Sequence, residues 1–338
     1  MVAPLVPIRP PAGLFELPAR ALADHCEDLT LLRLGPAPGT GALPGTLFVS
    51  VLLHGNETAG WEALCRLIAS RGDALPRSVV VLLGNLGAAR SGLRRHDGQA
   101  DFNRIWKNHD GVERARVDAI VEALAAEDLL CAVDVHNNTG SNPHYACVTR
   151  SDPVSLALAQ RFARPAVYVR QPDSVLMRAL APFTPSIVLE AGRPGEADGV
   201  AHVVDYLAWL LDCPVLPETP AGPLDLYRTV ASVRLRDGVR FGFRGTAPED
   251  AELELLPGFE ARNFSRLDPG TRFAHVPGAV ERWPLGVFDD DGADVTARYF
   301  ERRADEVVLA RSVVPAMFSP DETILRQDVV CYLMERFA

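Results

Sequence analysis

The sequence predicts an α/β fold: a mixed, mainly parallel sheet with helices on both faces, followed by a small C-terminal β-rich domain. Three observations carry this. Up to about residue 211, short apolar β-branched runs alternate with stretches of helical periodicity, the pattern of strands buried on both faces by crossover helices. The texture then breaks at residues 214–223, where Pro214, Pro217, Pro220 and Pro223 read as a linker. Beyond it come short apolar alternations separated by Gly, Pro and Asp: Leu224–Leu235, Val239–Phe243, Glu252–Leu256, Arg272–Val276, Leu285–Phe288 and Val307–Ala310. The expected organisation is an α/β domain over residues 1–213, the linker over 214–223, and a β-rich domain over 224–338 closed by a terminal helix, Glu322–Phe337.

Each element of the first domain has its own signal. A Pro-rich lead-in precedes a strand at Leu29–Leu34. The run from Thr46 to Leu53 is apolar and β-branched and reads as a strand buried on both faces. It breaks at His54-Gly55-Asn56, a tight-turn composition, and Glu57 opens the helical pattern Thr58–Ile68. Ser78–Asn85 is a second buried strand. Leu86–Asp110 is polar and rich in Gly, Arg, Asp and Asn, and reads as one long loop; long loops in compact domains are often functional. A helix follows at Gly111–Ala126, then strands at Leu129–His136 and His144–Thr149. Asp-Pro starts a helix at Asp152–Phe162. A short strand at Ala166–Val169, a short helix at Asp173–Leu180, a strand at Ser186–Glu190 and a long amphipathic helix at Glu196–Leu211 complete the domain.

Composition narrows the function classes. The chain has 338 residues, 48% hydrophobic and 23% charged, as ordinary soluble enzymes have. A net charge of −10 and a pI near 5.3 argue against nucleic acid and anionic membrane surfaces as partners. Lys107 is the one lysine, so arginine carries nearly all the positive charge, and its planar fork suits carboxylate ligands. The six cysteines are scattered with no Cys-x-x-Cys spacing, which points to a reducing cytoplasm rather than a disulfide framework. Met1 to Pro18 lacks a basic start and a long apolar core, so no signal peptide is expected, and no run is long enough for a membrane span.

The chemistry gathers at strand ends, where ligands bind in open α/β sheets. His54 and Glu57 sit three apart where a strand hands over to a helix, and imidazole and carboxylate both suit zinc. On its own this spacing arises often by chance, and Glu57 also fits a first helical turn. The third strand ends in Asp134-Val135-His136-Asn137-Asn138. Residues two apart on a strand face the same side, so Asp134 is placed to hold the far nitrogen of His136, or of His54. An Asp inside so apolar a run is costly to bury without a strong partner. Ile187-Val188-Leu189-Glu190-Ala191-Gly192 again puts a carboxylate at the end of an apolar strand. The loop adds Arg90-Ser91-Gly92-Leu93-Arg94-Arg95-His96 and Asp101-Phe102-Asn103-Arg104, whose plainer reading is solvated surface. His96, His109 and His144 lie near these motifs and are left out of the site; His144 starts a strand and reads as structural.

The order His54-Gly-Asn-Glu57, Asp101-Phe-Asn103-Arg104, Asp134-Val-His136-Asn, Glu190-Ala-Gly resembles the zinc carboxypeptidase superfamily, and is most similar to its succinylglutamate desuccinylase/aspartoacylase branch. The motifs cover about residues 46–195, and Asn263–Thr271 is similar to an Asn-Phe…Gly-Thr segment of that branch's C-terminal β domain. The resemblance implies a zinc carboxypeptidase-like catalytic domain and one Zn2+ per chain, held by His54, Glu57 and His136 with the fourth position left to water. It implies Glu190 as general base and then acid, with the zinc-bound water as nucleophile. It implies Asn103 and Arg104 on the α-carboxylate of the amino-acid half, and Arg178 on a second substrate carboxylate. The branch has its oxyanion Arg eight residues before the Arg of Asn-Arg, where this chain has His96; Arg95 is expected to serve, with Arg94 as the fallback. A branch Tyr from the C-terminal domain corresponds to Tyr299.

The expected activity is a zinc-dependent hydrolase acting on a linear amide other than a peptide bond, releasing the acyl group from a small-molecule N-acyl amino acid in the cytoplasm; a homo-oligomer is compatible with it. The alternatives are a zinc carboxypeptidase acting on small peptides and a non-catalytic binding module on the same fold. A serine hydrolase is disfavoured because Gly-x-Ser-x-Gly is missing, and a nucleotide-binding protein because Gly-x-Gly-x-x-Gly and the P-loop are missing.

Overall fold

The computed structural model describes residues 5–37, 39–72, 74–138, 140–278 and 283–337. Two units divide the chain: the first holds the residues up to Asn138 and His144–Asp225, the second residues 140–143 and the chain from Leu226 on.

The first unit is built on seven strands: β1 (Thr30–Leu34), β2 (Thr46–Val51), β3 (Val79–Leu83), β4 (Leu129–His136), β5 (Tyr145–Val148), β6 (Pro165–Tyr168) and β7 (Ser186–Glu190). Their order across the sheet is β1-β3-β2-β4-β7-β5-β6. The central pairs β3/β2, β2/β4 and β4/β7 are parallel, as is β5/β6. The pairs β1/β3 and β7/β5 are antiparallel, which makes the sheet mixed. β2 and β3 are buried along their whole length, as their largely apolar runs require.

Helices α1 (Ala59–Arg71), α2 (Leu86–Ser91), α3 (Arg114–Ala125), α4 (Pro153–Phe162), α5 (Leu176–Leu180) and α6 (Ala197–Asp212) surround this sheet. Val117, Ile120 and Leu124 of α3 and Leu176, Met177 and Leu180 of α5 share one core with Leu31, Phe48, Val80 and Leu82. Leu64 and Leu67 of α1 and Leu207 and Leu211 of α6 meet Leu47, Val49 and Val79, whose side chains alternate onto the opposite face. Helices thus cover both faces, as the sequence predicts. Gly60 lets α1 lie close on the sheet, since a Cβ there would come within 2.8 Å of Val51 and Val135.

The second unit holds two sheets. One runs β12-β8-β16-β15, built from β8 (Asp225–Leu235), β12 (Leu285–Phe288), β15 (Val314–Ala316) and β16 (Cys331–Arg336), all antiparallel. The other orders β13 (Phe300–Arg303), β14 (Glu306–Leu309), β11 (Arg272–His275), β10 (Leu253–Leu255) and β9 (Phe241–Phe243). Phe259, Phe273, Phe300 and Phe318 pack at its core, with Phe273 and Phe300 ring centroids 4.7 Å apart. α7 (Thr296–Tyr299) and α8 (Glu322–Gln327) are short.

Two expectations need correction. The predicted terminal helix Glu322–Phe337 is only α8, and the chain ends in β16. Its apolar residues suit either period, but β16 has a partner on each side, β8 and β15, so backbone pairing across the sheet overrides local preference. The predicted loop Leu86–Asp110 opens with α2. Asn85 caps it by accepting from the Ala88 amide at 3.0 Å, and Gly92, with φ at 66°, ends it. A helix this short leaves no periodicity to read. The rest of that stretch carries core residues of its own, Phe102, Ile105 and Trp106. Among the described residues no helix is long and apolar enough to cross a membrane.

Candidate metal centre and active site

β2 breaks sharply. Leu52 takes a left-handed conformation, φ 61°, and the chain turns through His54 and Gly55 towards α1. Gly55 allows this turn because a Cβ there would fall 2.2 Å from the Ala89 amide nitrogen of α2. The Glu57 amide donates to the His54 carbonyl at 3.1 Å, so the turn holds both side chains on one side. β4 runs parallel beside β2 and delivers His136 at its own carboxyl end.

With Asp101 and Asp134 these side chains form a continuous, mostly buried chain of alternating rings and carboxylates. His54 Nδ1 lies 2.9 Å from Glu57 Oε1, and His136 Nδ1 lies 2.7 Å from Glu57 Oε2. His54 Nε2 is 3.0 Å from Asp101 Oδ1, and His136 Nε2 is 3.0 Å from Asp134 Oδ2. With Nε2–H held outward by a carboxylate, each imidazole in its neutral form would offer the Nδ1 lone pair inward to a cation. One ligand atom each from His54, Glu57 and His136 lies within 4.8 Å of the others. Two imidazole nitrogens and one carboxylate oxygen, each imidazole backed by its own carboxylate, fit a divalent cation of the zinc type.

The electrostatics point the same way. Burial alone would raise the Glu57 carboxyl, but the positive charges of His54 and His136 hold it far below the usual carboxylate range. Burial alone would lower His136, but Asp134 and Glu57 hold it well above an ordinary imidazole. Asp101 is likewise far below its usual range: burial raises it, and the hydrogen bond and charge of His54 and the charge of Arg94 outweigh this. The pocket is therefore built to enclose positive charge.

Asn137 ties the parts together. Its amide donates to Glu57 Oε2 at 3.2 Å, its side-chain oxygen accepts from the Ala59 amide at 3.0 Å at the start of α1, and its side-chain nitrogen donates to the Gly192 carbonyl at 3.0 Å. Glu190 stands opposite His136 in the β4/β7 register. It is 9% exposed and its Oε2 has no hydrogen-bond partner. Burial pushes its carboxyl up to about 7, with the charge of Glu57 adding to the rise and His136, Asn138 and His54 opposing it.

The residues expected to meet substrate divide. Asn103 Nδ2 lies 3.3 Å from His136 Nε2, and Asn103 Oδ1 accepts from the Leu176 amide at 3.2 Å, which ties the start of α5 to the site. Arg104 donates to the Asn103 carbonyl at 2.8 Å. Of the paired arginines it is Arg94 that reaches the cluster, 3.4 Å from Glu57 and 3.2 Å from Asp101. Arg95 instead donates to the Gln99 carbonyl of its own loop at 2.9 Å. Arg178 of α5 donates to the Thr149 carbonyl at 3.4 Å. Tyr299 is buried in the second unit, with the Arg311 guanidinium 5.3 Å from its ring centre. Sequence reasoning assigned no role to Asp101 or Asn137. Both lie inside quoted motifs, and a polar residue held at a motif position was the signal available.

Residues 45–202 match the family model described as the succinylglutamate desuccinylase/aspartoacylase catalytic domain. These residues are a domain of the succinylglutamate desuccinylase/aspartoacylase family. The matched stretch contains His54, Glu57, Asp101, Asp134, His136 and Glu190. A succinylglutamate desuccinylase of Burkholderia orbicola is 36% identical over 105 residues, which is 30% of this chain and only 29% of that relative. A Burkholderia cenocepacia protein of the same name matches equally over 28% of its length. Solved structures share the fold of this desuccinylase/aspartoacylase domain and extend the likeness to most of the chain. The Chromobacterium violaceum succinylglutamate desuccinylase has a TM-score of 0.54 at 19% identity, covering 88% of this chain and 86% of that one. Murine aminoacylase 3 has a TM-score of 0.59 at 18% identity, covering 89% and 97%.

Proposed function

We propose that this protein hydrolyses the acyl amide of an N-acyl amino acid with a divalent cation, zinc by its donor set, held by His54, Glu57 and His136. The observation that carries the reading is the convergence of both Nδ1 atoms on the Glu57 carboxylate, with Glu190 keeping one oxygen, Oε2, without a hydrogen-bond partner. When bound, the cation supplies Lewis acidity, lowering the pKa of a water and polarising a carbonyl oxygen. Family membership supports the reaction class, and the names of the relatives supply the substrate class.

The chain's own residues then have distinct tasks. Glu190 takes a proton from the attacking water and returns it to the leaving nitrogen, so amide and water become carboxylic acid and free amine. A carboxyl raised by burial suits both halves of that transfer near neutral pH. Arg94 brings positive charge beside Glu57 to where negative charge develops on the carbonyl oxygen. Asn103 and Arg104 take the α-carboxylate, and Arg178 is the candidate for a second carboxylate. Asp101 and Asp134 hold the two imidazoles in the tautomer that faces inward. A cytoplasmic setting belongs to the same reading, since all six cysteines are free thiols.

The test is amine release by zinc-loaded protein from N-succinylglutamate, N-acetylaspartate, other N-acetyl amino acids and dipeptides, with and without chelator. Chelator-sensitive release from an acyl amino acid is expected, and Glu190→Gln should abolish it with zinc still bound. Release from dipeptides alone would make the protein a carboxypeptidase. Release from nothing would favour a binding module.

A further inference from the structure

Two register rows cross the middle of the first unit's sheet. Over β4, β7 and β5 one row reads His136, Glu190, Tyr145 and the next on the same face reads Asp134, Val188, Cys147. Neighbours in a row share a face, as do residues two apart on a strand, and the hydrogen bond from His136 to Asp134 shows it here. Cys147 therefore lies on the face that carries His136 and Glu190, one row away. The opposite face is closed: Val133, Val135, Ala146, Val148, Ile187 and Leu189 are all buried. On the site face, Val188 and Cys147 keep partial exposure although both belong to interior strands. Val188 packs against the core that α5 shares, and with Cys147 it keeps partial exposure, so the cover over this face ends beside them. A second, independent mark is Glu190, about nine-tenths buried at the edge of this opening with Oε2 unpartnered.

We infer that Cys147 floors the substrate depression beside Glu190 and sets how large a group the N-acyl amino acid can place there; this rests on the deacylase reading above. The thiol is not a nucleophile in this arrangement. Burial and the charge of Glu190 push it well above its ordinary range, so at neutral pH it is protonated, small and apolar. It shapes the floor together with Val188, and a larger or smaller side chain at 147 changes the depth without touching the cation's ligands.

Two measurements on the zinc-loaded full chain test this. In the first, methylmercury hydroxide at neutral pH labels the protein, the protonated thiol displacing hydroxide as water to form a sulfur–mercury bond, and peptide mass mapping follows each site. Cys147 should label several-fold more slowly when an N-acyl amino acid of the panel is present. Cys65 of α1, also partly exposed, should label at an unchanged rate. In the second, Cys147→Ala and Cys147→Leu are compared across N-acyl amino acids that differ by one methylene. Cys147→Leu should lose roughly tenfold in kcat/KM on the longer homologue relative to the shorter, through KM, and Cys147→Ala should shift preference the other way. Zinc content and the conservative Cys147→Ser check that each variant is folded and loaded. Variants that scale every substrate by one factor would overturn the inference. If no acyl amino acid or dipeptide turns over, the deacylase reading falls and the labelling arm still decides. Protection of Cys147 by any panel compound keeps it in a ligand site, and equal labelling in the presence of all of them removes it.

Discussion

His54 and His136 turn the same ring nitrogen, Nδ1, onto opposite oxygens of Glu57, at 2.9 and 2.7 Å, while each is held from behind at Nε2 by its own carboxylate. The two rings reach this arrangement from different strands, β2 and β4, and from partners at very different sequence distances. Asp134 is two residues from His136; Asp101 is 47 residues from His54.

Asp101→Asn removes the charge behind His54 but keeps the shape. Zinc affinity, measured by competition with a chromogenic chelator, should fall by roughly 10- to 100-fold, as for other carboxylates that back metal-binding imidazoles. Asp134→Asn should do the same through His136. An unchanged affinity in Asp101→Asn would reduce that contact to a feature of the metal-free protein.

Arg94 and Arg95 separate by kinetics. Arg94→Ala should lower kcat by roughly 100-fold or more, the scale of a lost oxyanion donor, with zinc retained. Arg95→Ala should stay within a few-fold of wild type, since its partner is the Gln99 carbonyl. The reverse ranking would return the role to Arg95.

Glu190 links activity and stability to pH. Its carboxyl is raised from 4.5 to about 7 in the metal-free protein, and a cation nearby shifts it down again by favouring the charged form. As a base it works ionised, so kcat/KM should fall along an acidic limb at or below about 7. A profile without that limb would remove Glu190 from the base role. The stability sign is opposite. A raised folded value means the stabilising contribution is whole below 4.5 and is lost as pH climbs through about 7. The metal-free Glu190→Gln protein should therefore gain on wild type in thermal midpoint over that window and keep the gain above it.

Arg77 is the stability prediction away from the site. It is fully buried and donates to three carbonyls, Leu211 at 3.1 Å, Pro44 at 2.9 Å and Cys213. It thereby pins the end of α6 to the chain leading into β2. Arg77→Met leaves those carbonyls unmet and should cost on the order of 3 kcal/mol in urea denaturation. A loss under about 0.5 kcal/mol would mean that water replaces the guanidinium.

The central sheet and the chain order of the site were legible because both are local. β2, β3, β4 and β7 are largely apolar runs, and most of the residues with chemistry sit where those runs stop. Short elements were not legible. α2 has too few residues to show a period, and β16 is apolar enough to read as helix. Its strand identity comes from β8 and β15, which pair with it across the sheet.

By itself the sequence determined that His54, Glu57, His136 and Glu190 stand at strand ends, since a buried run followed by a turn allows little else. It determined the family for the same reason, because motif order survives in one dimension. Only the tertiary structure decided which carboxylate backs which imidazole, which of two adjacent arginines turns inward, and which thiol faces the site. Those choices depend on strand register and on a loop returning from 47 residues away, and neither is a property of the residues nearby in sequence.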